Sequence, residues 1–136
     1  MDALAAASGG CVIRLEFEAP YPPSTNNLYR TVVANGRPVR VKTGKAKEYG
    51  QAVGQRVGIA LAVAGATPQP PYALHLHVWM PDAARRDLSN TIKALEDAIF
   101  GVLKKDDSTV VELHAYKRGI DRKRPRIDVV LEGRDG

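Results

Sequence analysis

From Cys11 to Glu18, Val12, Arg14 and Glu16 fall on one side of an extended chain, and Ile13, Leu15 and Phe17 on the other. This period of two predicts a half-buried strand. Ala19-Pro20-Tyr21-Pro22-Pro23 stops it, because proline removes ladder donors and restricts the residue before it. Ser24 to Asn27 reads as a polar loop, and Leu28–Val33 and Arg37–Lys42 as two short strands around the hairpin signal Asn35-Gly36. A first helix spans about Lys45 to Ala64, with a stripe of Ala46, Tyr49, Val53, Val57, Ala60 and Ala64 at spacings of three and four. Gly50, Gly54 and Gly58 form a second row on it, which suggests close approach by the sheet or, as the alternative, by a partner subunit.

Gly65 to Pro71 reads as a proline-rich surface connector. Ala73 to Met80 is the clearest strand, with Leu74, Leu76, Val78 and Met80 on one face and His75, His77 and Trp79 on the other. A second helix spans about Leu88 to Leu103 on the stripe Leu88, Ile92, Leu95, Ile99 and Val102, with Asp87 as its N-cap. A strand from Thr109 to Lys117, a basic loop from Arg118 to Pro125 and a strand from Arg126 to Glu132 complete the chain. The order β–β–β–α–β–α–β–β predicts a two-layer α+β domain, a mixed β-sheet with two main helices packed on it. Residues 11–136 form that single domain, and residues 1–10 a flexible lead.

Composition narrows the class. A chain of 136 residues with 44% hydrophobic content is long enough to bury a core. Twenty Lys+Arg against fifteen Asp+Glu give a net charge of +5, and the mixed charge of residues 71–136 fits either an acidic pocket framed by phosphate-binding groups or a plain solvated surface. One cysteine, Cys11, excludes an internal disulfide framework. Without a long apolar run or a convincing signal peptide, the expected location is the cytoplasm and no membrane partner is expected.

Three constellations carry candidate chemistry. Asp87 precedes the second helix and Asp106–Asp107 follow it, with Lys93 between. Carboxylates of this kind suit magnesium, a hard cation that activates water and stabilises charge on a phosphodiester. Flanking strands would have to bring the two helix ends into one acidic site. The plainer alternative makes Asp87 a cap, Asp106–Asp107 a turn and Lys93 a partner of Asp97. A histidine metal site from His75, His77 and His114 is a weaker candidate, because the spacing matches no known ligand pattern. A nucleic-acid surface draws on Arg118, Arg122, Lys123, Arg124 and Arg126 with the hairpin cations Arg30, Arg37, Arg40 and Lys42. No glycine-rich phosphate loop is present, and no organic cofactor is expected.

Several of these motifs together resemble one family. Pro22-Pro23-Ser24-Thr25-Asn26-Asn27-Leu28-Tyr29-Arg30 is similar to the opening of the RusA family of Holliday-junction resolvases, found in bacterial and prophage genomes. Arg85-Arg86-Asp87-Leu88-Ser89-Asn90 falls on its arginine-rich D-x-D-N motif, Lys93 on its essential lysine, and Lys105-Asp106-Asp107-Ser108 on its second acidic motif. The resemblance spans about Ile13 to Leu131. It implies a magnesium-dependent homodimeric endodeoxyribonuclease, with manganese as a substitute ion, that nicks four-way DNA junctions symmetrically in recombination and repair. It also implies Asp87, Lys93 and Asp107 as catalytic residues. The metal ligands would be Asp87 and Asp107, with Asp106 and Ser89 as further candidates. DNA would be held by Asn26, Asn27, Arg30, Arg85, Arg86, Arg118, Arg122, Lys123 and Arg124.

One position departs from the pattern. Ser89 stands where the family usually has a second aspartate, and a neutral hydroxyl is a poorer magnesium ligand. Asp106 or Asp97 fills the role, or a water held by Ser89 does, or the chain binds junctions without cutting them. Retained cleavage is the expectation. The alternatives are a catalytically silent branched-DNA-binding homologue and an α+β interaction module without nucleic acid.

Overall fold

The computed structural model describes residues 11–85 and 87–135, and for Thr25, Asn26 and Asp107 it describes the backbone only. Its elements are β1 (Val12–Pro20), α1 (Thr25–Leu28), β2 (Tyr29–Ala34), β3 (Arg37–Lys42), α2 (Gly44–Ala64), β4 (Pro68–Met80), α3 (Leu88–Leu103), β5 (Val110–Ile120) and β6 (Arg126–Asp135). A four-stranded sheet has the order β1-β6-β4-β5, and β2–β3 form a separate antiparallel hairpin. β4 pairs with β6 antiparallel and with β5 parallel, so the sheet is mixed. Parallel neighbours need a crossover, and α3 supplies it.

Alternation in β4 sets the two layers. Tyr72, Leu74, Leu76 and Val78 are fully buried, whereas His75, His77 and Trp79 on the opposite face are half-buried. The buried face joins Leu15 of β1 and Ile127, Val129 and Leu131 of β6. Tyr49, Val53 and Val57 of α2 and Leu95, Ile99 and Phe100 of α3 close over it. The expected two-layer α+β architecture is therefore present. The sheet's other face has no helix against it among the described residues.

Caps fix the helix ends. Thr43 caps α2 by accepting the Ala46 N–H at 3.3 Å, and Gly65 ends that helix at φ 72°. Asp87 caps α3 as expected, its carboxylate accepting the Ser89 N–H at 2.9 Å. The helix stops at Lys104, which adopts a left-handed φ of 56°.

Four expectations are corrected. Ser24 to Asn27 is not simply a loop, because residues 25–28 make a helical turn whose Asn27 N–H reaches the Ser24 carbonyl. The proline-rich stretch after Gly65 is strand from Pro68 onward, since Pro68 and Gln69 pair with Asp135 and Arg134 beyond a register shift. That pairing carries β6 past Glu132 to Asp135. β5 likewise runs to Ile120 instead of ending at Lys117, because a bulge after Val78 lets Trp79 and Met80 keep pairing with Gly119 and Ile120. Arg118 is therefore a strand residue, outside the basic turn. Finally, the glycine row of α2 does not meet the sheet. An added Cβ at Gly50 or Gly58 has nothing within 4 Å, and at Gly54 it meets only Val102 of α3, at 3.3 Å.

Gly133 is the opposite case. A Cβ there would lie 2.7 Å from both the Gln69 carbonyl oxygen and the Pro68 Cβ, where β6 crosses the proline segment. Gly58→Ala is expected to raise stability by about 0.5–1 kcal/mol, through helix propensity at an unobstructed site. Gly133→Ala is expected to cost about 1–3 kcal/mol through overpacking against backbone. Urea unfolding at matched protein concentration compares the two. A destabilised Gly58→Ala variant would mean that another surface meets this stripe.

Candidate nucleic-acid and metal site

The first acidic motif is held by its own helix. Asp87 is exposed, and one carboxylate oxygen is turned inward to the Ser89 N–H. Its backbone carbonyl accepts from the buried Thr91, through both the N–H at 3.4 Å and the hydroxyl at 3.3 Å. The Thr91 hydroxyl also lies 3.2 Å from the Tyr21 hydroxyl. Tyr21 and Thr91 therefore anchor the N-terminus of α3. Sequence reasoning missed both, although a threonine one turn into a helix beside a tyrosine-bearing proline loop was the available signal.

Midway along α3, Lys93 and Asp97 form an i,i+4 pair at 3.3 Å. The Tyr29 hydroxyl at the base of the hairpin donates to the other Asp97 oxygen at 2.7 Å. Arg40 lies over the Tyr29 ring, 4.3 Å from its centroid. Partial burial, with the Asp97 carboxylate as hydrogen-bond partner and charge, raises the Tyr29 phenol above its usual value of 10.0. Tyr29 thus remains a donor through the neutral range. A groove of about 500 Å³ follows this face, lined by Tyr29, Lys42, Lys93, Asp97, Lys105 and Asp106 among others.

The second acidic motif begins where α3 ends. Asp106 is exposed and accepts the Ser108 N–H at 3.0 Å, while its carbonyl accepts the Thr109 N–H. Asp107 opens the 3-10 turn Asp107–Thr109; its side chain lies outside the described atoms. The sixteen residues of α3, at 1.5 Å rise each, keep the two acidic motifs about 24 Å apart. The expectation that flanking strands would bring both helix ends into one acidic site is therefore not met within one chain. The crossover explains why: α3 starts from the far end of β4 and returns along the sheet to the end at which β5, the neighbouring strand, begins.

The basic residues divide by partner. Arg124 reaches both carboxylate oxygens of Glu18, at 3.0 and 3.2 Å. Arg126 contacts Asp121 at 3.0 Å and Asp128 at 3.4 Å and lies over the Trp79 ring. The Arg124 backbone N–H, and after it the Arg126 guanidinium, hold the Asp121 carboxyl below the usual carboxylate range. Arg122 and Lys123 are exposed in the same turn, as are Arg30 on the hairpin, Asn27 before it and Arg85 before α3. Arg86 and the Asn26 side chain lie outside the described residues. The Asp121 N–H donates to the Met80 carbonyl at 2.8 Å, which holds the turn carrying Arg122 and Lys123 beside the end of β4.

The three histidines do not converge on an ion. His75 and His114 stack at 4.9 Å with their planes 6° apart, and His77 stacks on Tyr116 instead. Among the described residues, no group of three or more His, Cys, Asp or Glu is placed to hold a metal.

A family model described as endodeoxyribonuclease RusA matches residues 20–132. The match runs from the last residue of β1 nearly to the end of β6 and includes both acidic motifs. None of the curated proteins matches the chain.

The Tyr29–Asp97 bond ties the hairpin to α3. Tyr29→Phe is expected to cost about 1 kcal/mol and to speed hydrogen exchange at hairpin amides. The raised phenol sets the sign of the pH dependence: the contribution is present below pH 10 and is lost as pH rises above it. Alkaline unfolding curves of the two proteins should converge accordingly.

Proposed function

The chain belongs to the RusA endodeoxyribonuclease family, and from that premise we propose that it is a magnesium-dependent nuclease that resolves four-way DNA junctions by paired nicks. The observation that carries this reading is the placement of the family-matched acidic motifs at the two ends of α3, with Lys93 exposed between them. The donor set fits the ion. Asp87 and Asp106 each commit one oxygen to a neighbouring backbone N–H and are otherwise exposed, which suits a hard cation that keeps several waters. Asp87 and Asp107 would hold the metal, and Asp106 is the better substitute for the acid that Ser89 lacks. Asp97 is less suited, because Lys93 and Tyr29 engage its two oxygens.

A bound magnesium ion would supply water activation and relief of negative charge at the phosphodiester. The chain's own residues do the rest. Lys93 offers a cation beside the scissile phosphate once Asp97 releases it. Arg85, Arg122 and Lys123 hold backbone phosphates at the Asp87 end, and Arg30 extends that surface onto the hairpin. Because one ion cannot bridge about 24 Å of helix, the two acidic motifs act together only when a second copy supplies one of them. A two-fold homodimer does this twice, which suits a junction of near two-fold symmetry.

Ser89 favours one alternative, a homologue that binds branched DNA and cuts it poorly. With a synthetic four-way junction and magnesium, paired nicks are expected, and Asp107→Asn should reduce them by at least about 100-fold. Ser89→Asp should accelerate cutting if the missing carboxylate limits the rate. Mixing Asp87→Asn with Asp107→Asn subunits should restore cutting if the motifs meet across a dimer. Tight junction binding without nicks in magnesium or manganese would establish the silent homologue.

A further inference from the structure

The sheet face turned away from the helices carries alternate residues of all four strands, and its cations are mostly neutralised. Arg14 pairs with the buried Glu132 at 3.3 Å, Arg124 with Glu18 at 3.0 Å, and Arg126 with Asp121 and Asp128. Arg118 differs. Its Nε–H donates to His77 Nδ1 at 2.8 Å, and its guanidinium carbon sits 4.7 Å from the Tyr116 ring centroid. Tyr116 in turn stacks on His77, with centroids 5.3 Å apart and planes 16° apart. Among the described residues, no carboxylate lies within ion-pair distance of Arg118.

Both supports are uncharged, because a nitrogen that accepts from Arg118 belongs to a neutral imidazole. Arg118 therefore keeps its full charge while its plane is fixed twice, by a hydrogen bond at Nε and by the ring beneath it. The two terminal amino groups remain for an outside partner. A planar, oriented fork with two free donors matches two oxygens of a phosphate, and fixing it in advance reduces the ordering cost of binding.

The surroundings indicate which phosphate. Ile120, two residues beyond Arg118, pairs with Met80, from which the chain leads to Asp87. The turn carrying Arg122 and Lys123 follows at the same end of the sheet. Arg118, Arg122 and Lys123 thus lie along one stretch at the end of the sheet where β4 finishes, with Arg118 on the open face. We infer that His77, Tyr116 and Arg118 form a phosphodiester-binding site on the open face of the sheet, which takes a DNA segment other than the one at the acidic motifs. Arg118 is the contact, and His77 and Tyr116 are positioning residues. The inference rests on the nucleic-acid reading above and adds a second face to it.

The test is binding of the full chain to a synthetic four-way junction in calcium, measured over a range of salt concentrations. Arg118→Gln should weaken binding about five- to tenfold and lower the slope of log affinity against log salt by about one. His77→Phe keeps every charge and the ring stack but removes the acceptor, and should weaken binding about threefold. His77→Asn places an amide oxygen where Nδ1 was and should restore it. Unchanged melting temperatures exclude a folding effect at these surface positions. If Arg118→Gln leaves affinity and slope unchanged while Arg122→Gln lowers both, the site is wrong and the nucleic-acid reading stands. If His77→Phe and His77→Asn both bind like the parent, the positioning role is wrong. If the parent chain binds without salt dependence, both the site and the nucleic-acid reading fail.

Discussion

The parallel pairing of β4 with β5 is the constraint on which the rest depends. Parallel strands cannot be joined by a tight turn, so the chain between Met80 and Val110 must travel back along the sheet. It does so as α3, whose Leu95, Ile99 and Phe100 are buried against the sheet and α2. The same helix carries the chemistry on its ends and exposed face. Packing and function are thereby divided around one cylinder: apolar residues inward, Lys93 and Asp97 outward, and an acid beyond each terminus.

Much of this was legible from periodicity. The order of strands and helices, the Asn35-Gly36 turn, the Asp87 cap and the inward face of β4 all follow from local pattern, because local geometry decides them. The errors came where distant pairing overrode a local signal. Pro68 to Pro71 looks like loop, yet the end of β6 draws Pro68 and Gln69 into the sheet. Arg118 looks like part of a basic turn, yet the bulge opposite Trp79 extends β5 beyond it. The buried stripe of α3 was also rotated: Thr91, Ala94 and Phe100 are buried, whereas Val102 is 38% exposed.

The candidate site was legible as residues and not as geometry. Asp87, Lys93 and Asp106 can be read from motif spacing, but a helix of sixteen residues keeps the two acids apart in one chain. The ties that orient these groups, Tyr21 to Thr91 and Tyr29 to Asp97, join residues 70 and 68 positions apart and leave no mark in a local pattern. Charge counting could not separate Arg118 from Arg124 either. Glu18, which pairs with Arg124, lies 106 residues away on another strand.

The length of α3 also acts as a phase lock. Each residue of an α-helix turns its successor by about 100°, so one inserted residue between Asp87 and Asp106 would swing everything after it by more than a quarter of a revolution. The inward stripe would then point partly to solvent, and the second acidic motif would leave the sheet at a new angle. A change of about seven residues, near two full turns, nearly returns the phase, but it displaces the motif along the axis by about 10 Å. Side chains on α3 can vary within the chemistry each face demands, but the number of residues between its acids is held by rotation and length together.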